Sequence, residues 1–169
     1  MTHQRHTRVG VLSDTHLSGI DATYAQHVDQ AFSDCNAVIH AGDLTSRAIL
    51  EIFGDRAVYA VHGNMCGYET RSALPEELEF TIEGYRFGLY HGDGIGYDME
   101  TELISRFGEA DCIIFGHTHR PLVQRFGSVL LINPGTFRST GRYGSSGTFA
   151  ILTIDDAGLS AAIHRLPPE

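Results

Sequence analysis

Short apolar runs alternate with helical patterns over the first sixty residues of the chain. The strands that these continuous apolar runs predict lie at 8–13, 37–40 and 57–61. Between them, apolar residues at helical spacing predict helices over 21–34 and 45–53. Asp21 caps the first helix in this prediction, and Thr45 or Ser46 caps the second. Strands that alternate with helices in this way predict parallel pairing through right-handed crossovers.

Hairpin patterns dominate the rest of the chain. Pairs of predicted strands lie at 78–82 with 85–90, at 122–126 with 129–132, and at 148–154 with 159–164. A helix over 98–107 and a strand over 111–115 separate the first two hairpins, and 136–147, rich in Gly, Ser and Thr, predicts a loop. Two mixed sheets packed face to face, with helices outside, would bury these runs. The predicted fold is therefore α/β, a four-layer α/β/β/α sandwich, with residues 1–169 in a single domain.

The composition is that of an ordinary globular protein, with 42% hydrophobic and 20% charged residues. No apolar run approaches the ~20 residues of a membrane span, and the N-terminal segment lacks the apolar core of a signal peptide. We therefore expect a cytoplasmic protein with no membrane partner. The net charge of −9 predicts no stable binding to nucleic acid. Three cysteines without a Cys-x-x-Cys pair argue against a disulfide framework and a zinc finger, and we expect Cys35 and Cys112 to be buried.

Residue types that bind metals gather at five predicted strand ends. These ends are Asp14-Thr15-His16, Gly42-Asp43, Gly63-Asn64, His91-Gly92-Asp93 and Gly116-His117-Thr118-His119. Taken alone, each residue has an ordinary alternative: a cap or turn for the aspartates and the asparagine, and a surface position or a backbone hydrogen bond for the histidines. In open α/β sheets, however, ligands bind at the carboxyl ends of the strands. Five such ends with complementary ligand chemistry predict one polynuclear metal site.

In this order, these segments resemble the calcineurin-like metallophosphoesterase superfamily, whose pattern is Asp-x-His, Gly-Asp, Gly-Asn, a lone His and Gly-His-x-His. The segment Asn133-Pro134-Gly135-Thr136 is also similar to the Asn-Pro-Gly-Ser segment of the small YfcE-type phosphodiesterases. The resemblance covers nearly the whole chain. It implies two divalent metal ions as cofactors, with manganese preferred and nickel, iron or zinc as alternatives that suit nitrogen and oxygen ligands.

The resemblance also implies a role for each residue. The metal ligands that it implies are Asp14, His16 and His119 for one ion, Asn64, His91 and His117 for the other, and Asp43 as the bridge. Asp43, Asn64 and His91 would take the catalytic part. A hydroxide that bridges the ions would be the nucleophile, because coordination lowers the pKa of bound water to about 7. The expected substrate is a small or nucleotide-like phosphodiester.

Two positions depart from the family pattern. Many relatives carry a His or Asp directly after Gly-Asn, or an Asp one residue later, as the acid that protonates the leaving group. Met65 and Cys66 occupy these positions here, which leaves His62 or the neighbourhood of His16 as alternative sources of the proton. We therefore expect faster turnover of diesters with good leaving groups. His40, which ends the second strand, either orients a ligand or packs in the core.

Two other functions fit the same residues. A phosphomonoesterase would use the same ligand set and differ in the shape of its pocket. The third function is a metal-binding scaffold for protein interaction, like the eukaryotic retromer subunit that resembles this small fold. All seven ligand positions carry coordinating side chains, which favours an enzyme. Exposed apolar edges are compatible with a homodimer or a higher homo-oligomer.

Overall fold

A computed structural model describes residues 5–138 and 146–168 as two five-stranded sheets with helices. The first sheet contains β1 (His6–Leu12), β2 (Ala37–His40), β3 (Ala57–Ala60), β9 (Thr148–Asp155) and β10 (Gly158–Arg165). The second contains β4 (Glu77–Ile82), β5 (Tyr85–Tyr90), β6 (Cys112–Ile114), β7 (Leu122–Phe126) and β8 (Val129–Asn133). These bounds lie within a residue or two of the predicted strands.

Both sheets are mixed, as predicted. The strand orders are β10-β9-β1-β2-β3 and β4-β5-β6-β8-β7. Strands β1, β2 and β3 are parallel, and β9 and β10 extend this sheet antiparallel. In the second sheet β5, β6 and β8 are parallel, with β4 and β7 antiparallel at the two edges. The parallel strands of each sheet therefore end at a common edge.

The helices begin at the predicted capping residues. Helix α1 (Ala22–Phe32) starts after Asp21, whose carboxylate accepts a hydrogen bond from the amide of Tyr24. The segment predicted as a helix over 45–53 begins after Ser46, but it forms a 3₁₀ helix, Arg47–Phe53. Tight turns of this kind are frequent in short connections, and here the connection joins the loop after β2 to β3.

The remaining two helices differ in how well the sequence predicted them. Helix α3 (Met99–Arg106) follows Asp98, which caps it, close to the predicted 98–107. Helix α2 (Tyr68–Ala73) was not predicted, because its six residues bury only Thr70 and show no apolar stripe. No helix in the described part of the chain is long and apolar enough to cross a membrane.

Three layers of apolar side chains hold the sandwich together. Residues from both sheets, including Val11, Ile39, Leu89 and Ile114, form the central layer between the sheets. A second cluster packs α1 and the 3₁₀ helix onto the outer face of the first sheet. The third packs α3 onto the outer face of the second sheet. The predicted four-layer α/β/β/α sandwich is confirmed, and so are the buried thiols of Cys35 and Cys112.

Hydrogen bonds draw the carboxyl ends of the strands together. The amide of Asp14, after β1, donates to the carbonyl of Gly42, after β2, at 2.9 Å. In the second sheet, the amide of Gly116 donates to the carbonyl of His91 at 2.9 Å. The ring of His91 then bonds the carbonyl of Ala41 at 2.7 Å and joins the two sheets. One edge of the sandwich therefore collects the segments that the sequence analysis selected.

Candidate metal centre

Asp14 lies at the middle of the candidate site and is fully buried. Its Oδ2 accepts hydrogen bonds from the Ser13 hydroxyl at 2.6 Å and from the His117 amide at 3.3 Å. Three imidazole nitrogens surround its other oxygen, Oδ1. They are Nε2 of His119 at 3.1 Å, Nε2 of His16 at 3.9 Å and Nε2 of His91 at 3.9 Å. The carboxylate thus offers one oxygen to the interior of the site.

Asp43 and His91 form a second buried pair. The amide of Met65 donates to Oδ1 of Asp43 at 2.8 Å, while Oδ2 lies 3.2 Å from Nε2 of His91. The other ring nitrogen, Nδ1, must carry the proton that bonds the carbonyl of Ala41, because a carbonyl oxygen only accepts. Nε2 of His91 therefore turns towards Asp43 and Asp14.

This nitrogen tests whether a cation fits the site. Nε2 of His91 is buried and has no hydrogen-bond partner among the described residues. A neutral imidazole would place its lone pair against two carboxylates, which is unfavourable in a buried setting. A metal ion between these groups would satisfy all of them at once. The donor set, imidazole nitrogen with carboxylate oxygen, suits a transition metal such as manganese or zinc.

Two groups of ligand atoms meet closely enough to hold an ion each. Within each group the ligand atoms lie within 4.8 Å of one another. The groups are Asp14 with His16 and His119, and Asp14 with Asp43 and His91. The structure therefore brings five of the seven predicted ligands together, and it gives Asp14 a shared position that the sequence did not indicate.

The other two predicted ligands lie at the border of this cluster. His117 belongs to neither group, but its ring packs edge-on to that of His91, with centroids 5.2 Å apart. Asn64 is exposed and lies between Gly63 and Met65, two residues that touch the carboxylate of Asp43. The His117 ring and the backbone on either side of Asn64 are therefore next to the second group.

Backbone strain is concentrated in the same residues. Six non-glycine residues in the described part of the chain have positive φ, and five of them are predicted ligands. The five are Asp14, His16, Asp43, His117 and His119, with φ between 51° and 63°. The left-handed conformation costs such residues free energy, and clusters of it are typical of functional sites. These side chains are thus directed inwards at the expense of local backbone stability.

Glycines leave room for the ligand side chains. A Cβ at Gly63 would overlap Oδ1 of Asp43, and one at Gly116 would overlap the Ser13 hydroxyl. A Cβ at Gly42 would lie 2.6 Å from Nδ1 of His91. The glycine that precedes each of three predicted ligands is therefore required by close packing. In the sequence, this requirement for close packing is visible as the Gly-Asp, Gly-Asn and Gly-His pairs.

The electrostatic field of the site couples its acids and bases. Burial acts to raise the pKa of Asp43, but the neighbouring His91 and the Met65 amide outweigh it and hold this pKa below its ordinary value. Burial acts to lower the pKa of His91, and the carboxylates of Asp43 and Asp14 reverse this and raise it. The contact with Asp14 likewise raises the pKa of His119, against the effect of burial.

Two residues outside the predicted ligand set hold the loops in place. Nδ1 of the fully buried His40 accepts from the Gly42 amide at 3.1 Å, so its Nε2 donates to the Thr15 hydroxyl at 3.1 Å. Burial lowers the pKa of His40 to about 3 and keeps the ring neutral. These bonds to residues beside the ligands favour the orienting role over simple packing. The sequence had left both roles open.

Asn133 performs the same task in the second sheet, although the sequence analysis named it only as part of a family segment. Its Nδ2 donates to the carbonyl of Gly116 at 2.9 Å and to the Thr118 hydroxyl at 3.0 Å. Its Oδ1 accepts from the amide of Gly135 at 2.9 Å. The buried side-chain amide of Asn133 therefore holds the Gly-His-Thr-His segment in place. The Asn-Pro-Gly-Thr motif was the signal for it.

Comparison with known proteins identifies the family. Residues 7–157 match the calcineurin-like phosphoesterase superfamily domain, and the chain belongs to this superfamily. It is therefore a metal-binding hydrolase of the metallophosphoesterase class. A probable metallophosphoesterase from Methanothermobacter thermautotrophicus is 36% identical, over 93% of this chain and 91% of its own length.

Solved structures share the fold at lower identity. A structure described as a novel archaeal phosphodiesterase is 24% identical, with a TM-score of 0.74 over 95% of this chain and all of the other. Vps29 from Entamoeba histolytica, solved in complex with zinc, is 20% identical, with a TM-score of 0.69 over 94% of this chain and 99% of the other. Both neighbours confirm the predicted architecture.

Proposed function

We propose that this protein is a phosphodiesterase that uses two divalent metal ions to hydrolyse a small or nucleotide-like phosphodiester. The unpartnered, buried Nε2 of His91, aimed at two carboxylates, is the observation that carries the proposal. The two ligand groups that share Asp14 support a pair of ions in place of one. The superfamily to which the chain belongs supports phosphate-ester hydrolysis.

The proposed ligand assignment follows the two groups. Asp14, His16 and His119 would hold the first ion, and Asp43 and His91 would hold the second. The two groups share Asp14, and Asp43 as the bridge is the assignment that the family resemblance implies. Asn64 and His117, which border the second group, would complete its coordination. The bound ions would supply activated water and offset the charge of the phosphate. Manganese remains the preferred metal, and the zinc complex of the related fold supports zinc as an alternative.

The chain's own residues prepare these ligands. The Ser13 hydroxyl and the Met65 amide each occupy one oxygen of Asp14 or Asp43, so the opposite oxygen is free to face an ion. The bond from Nδ1 of His91 to Ala41 fixes the tautomer that leaves Nε2 as a ligand. His119 is 46% exposed, so the first group opens to solvent and to substrate. The ligands are therefore oriented before any ion arrives.

The two positions where relatives carry an acid for the leaving group hold poor proton donors in this chain. Cys66, at a position where relatives carry an acid, accepts a hydrogen bond from the Gly63 amide at 3.2 Å. Burial raises the pKa of this thiol, which makes it a weak proton donor at neutral pH. Met65 has no dissociable proton, and its side chain is largely exposed. We therefore expect rates to rise as the pKa of the leaving alcohol falls.

A metal-restored assay tests the proposed function. The protein is stripped with a chelator, dialysed, and supplied with Mn²⁺, Ni²⁺ or Zn²⁺ together with bis-p-nitrophenyl phosphate or p-nitrophenyl phosphate. We expect restored hydrolysis with preference for the diester. Preference for the monoester would indicate a phosphomonoesterase. Tight metal binding without turnover of either ester would indicate a metal-holding interaction protein.

The matched variant is Asp43→Ala. It removes the proposed bridging carboxylate, and we expect it to abolish metal-restored hydrolysis while far-ultraviolet circular dichroism stays that of the wild type. Glu79→Ala, an exposed carboxylate on the edge strand β4, is the control and should retain full activity. Activity retained by Asp43→Ala would contradict the bridging role.

A further inference from the structure

A cleft of about 360 Å³ lies against the Gly-His-Thr-His segment. Its apolar wall is formed by Met99, Phe115, Pro121 and Leu122, and polar groups of Glu100, Thr118 and Arg120 complete the lining. This volume is within the range of about 300–1,000 Å³ that small-molecule sites occupy. A mainly apolar wall with a few polar groups is also the usual composition of such sites.

The cleft begins where the candidate metal centre ends. Thr118 and Arg120 alternate along the chain with the predicted ligands His117 and His119. Met99, which also lines the cleft, approaches the backbone at Gly92, the residue after His91. A Cβ placed at Gly92 would lie 3.3 Å from the Met99 methyl and 3.6 Å from Cβ of His117. A molecule whose phosphate reached the metal centre could therefore extend into the cleft.

Two opposite charges mark its rim. In the part of the chain that the structure describes, no carboxylate or carbonyl pairs with the guanidinium of Arg120; only its backbone amide is bonded, to Thr118. An unpaired arginine in a protein of net charge −9 favours an anionic ligand. Glu100, in the first turn of α3, would repel a second phosphate but would accept hydrogen bonds from hydroxyl or amino groups.

Exposed apolar side chains are concentrated on the same edge of the molecule. Four large hydrophobic residues are exposed in the described part of the chain: Ile20, Met65, Tyr68 and Tyr97. Each lies within six residues after a predicted ligand: Ile20, Met65 and Tyr97 in the loops that follow β1, β3 and β5, and Tyr68 at the start of α2. Tyr97 also precedes Met99, a wall of the cleft, by two residues. Apolar surface gathered around a polar site is typical of ligand binding.

We propose that this cleft binds the nucleoside part of the phosphodiester, a planar base with hydroxyl or amino donors attached. The apolar wall would hold the base, Arg120 would contact a phosphate oxygen, and Glu100 would accept hydrogen bonds from the sugar or the base. This inference rests on the proposed phosphodiesterase function and narrows its substrate from phosphodiesters in general to those of nucleosides. It also makes Met99 and Glu100 determinants of specificity.

Two esters with the same leaving group test the specificity. The probes are thymidine 5′-(p-nitrophenyl phosphate) and methyl p-nitrophenyl phosphate, assayed with the manganese-loaded protein. We expect kcat/KM for the thymidine ester to be higher by roughly tenfold or more, the discrimination that an apolar pocket provides. Met99→Trp, which fills the cleft, and Glu100→Ala, which removes the acceptor for the sugar or the base, should each bring this ratio down towards one. Arg120→Ala should lower kcat/KM for both esters, because both carry the phosphate that Arg120 would contact. Arg5→Ala, an exposed arginine at the amino end of β1, is the control and should keep the wild-type ratio.

A binding measurement separates this inference from the proposed function. Thymidine alone is titrated into the ¹⁵N-labelled, metal-free protein, and amide shifts are followed by nuclear magnetic resonance. We expect shifts at residues 99–100 and 118–122, and their loss in Met99→Trp. A wild-type ratio near one, an unchanged ratio in Met99→Trp, or thymidine shifts absent from these residues would overturn the nucleoside site. Failure of the metal-loaded protein to hydrolyse either ester would contradict only the phosphodiesterase function.

Discussion

Single residues at the candidate metal centre adopt conformations that ordinary packing would not select. Five predicted ligands have positive φ, although none of them is glycine. True glycines lie beside them where even one extra carbon would strike a ligand. The local sequence is therefore better suited to holding ligands in place than to stabilising the fold. This is the pattern expected where a site is prepared for a bound group.

Gly63→Ala tests this packing. The new Cβ would overlap Oδ1 of Asp43, so this carboxylate must move. We expect metal-restored kcat/KM to fall by roughly a hundredfold, the effect of about a 1 Å misplacement near a reacting centre. Gly96→Ala is the control, because open space surrounds its position. Equal activity of the two variants would show that the close approach at Gly63 has no role.

His40→Asn tests the neutral imidazole that joins the Thr15 and Gly42 loops. The folded pKa of His40, about 3, lies below the ordinary 6.5, so the unfolded chain takes up the proton first as pH falls. The contribution of His40 to stability is therefore complete above about pH 6.5 and is lost progressively towards pH 3. Between pH 7 and pH 5 this loss is about 2 kcal/mol.

The measurement is urea unfolding at both pH values with chelator present. Asparagine keeps an acceptor for the Gly42 amide but does not titrate, so the variant should lack this part of the pH dependence. The wild type and His40→Asn should thus differ by about 2 kcal/mol in their change of unfolding free energy between pH 7 and pH 5. Parallel pH profiles would mean that His40 is not buried in its neutral form.

At the scale of elements, apolar patterning predicted the strands well because the inner strands are short buried runs and the edge strand β4 alternates exposed and half-buried residues. Strand β2, for example, is buried along its whole length, and so is β6. Helix α2 escaped prediction because its contacts are with a loop: the Thr70 hydroxyl donates to the carbonyl of Thr45. The sequence also did not predict that Arg47–Phe53 forms a 3₁₀ helix, since the spacing of apolar residues does not distinguish a short α-helix from a 3₁₀ helix.

The candidate site was predicted in outline for the same reason. The strand ends that carry Asp14, Asp43 and His91 follow from the apolar runs, so their gathering at one edge could be inferred. That Asp14 belongs to both ligand groups could not be inferred, because this depends on how the two sheets face each other. The sequence records no register between β1 and β6, which belong to different sheets.

Asn133→Ala tests how an element end supports the ligands. Without the side-chain amide, the carbonyl of Gly116 and the hydroxyl of Thr118 lose their donor. We expect Mn²⁺ affinity, measured by isothermal titration calorimetry, to fall by about 10–100-fold, as when a supporting hydrogen bond of a metal ligand is removed. Asn36→Ala is the control, since Asn36 binds the backbone of Arg8 at 2.9 Å, away from the site. Wild-type affinity in Asn133→Ala would exclude the supporting role.

For the whole molecule, the site is a place where polar groups join the two sheets, whereas the central layer between them is apolar. In the absence of metal, carboxylates and imidazoles are crowded there with one buried nitrogen unpartnered. A protein of net charge −9 gains from cations that bind only to its folded form. Metal loading should therefore stabilise the fold as a whole.

Thermal unfolding measures this coupling. We expect Mn²⁺ to raise the Tm of the chelator-stripped protein. The free energy of unfolding should increase by about 2.7 kcal/mol when the free metal concentration is a hundred times the Kd. Asp43→Ala should show a smaller rise, because one carboxylate of the second ligand group is missing. A Tm that does not respond to metal in the wild type would mean that the clustered ligands bind no ion in the folded state.

The central claim is that side chains from five strand ends hold two neighbouring cations. Crystals of the manganese-loaded protein, with diffraction data collected at the manganese absorption edge, test it most directly. The account predicts two anomalous peaks about 3.5–4 Å apart, one in contact with Asp14, His16 and His119 and the other with Asp43 and His91. No peak, or manganese bound elsewhere while these side chains stay empty, would contradict it.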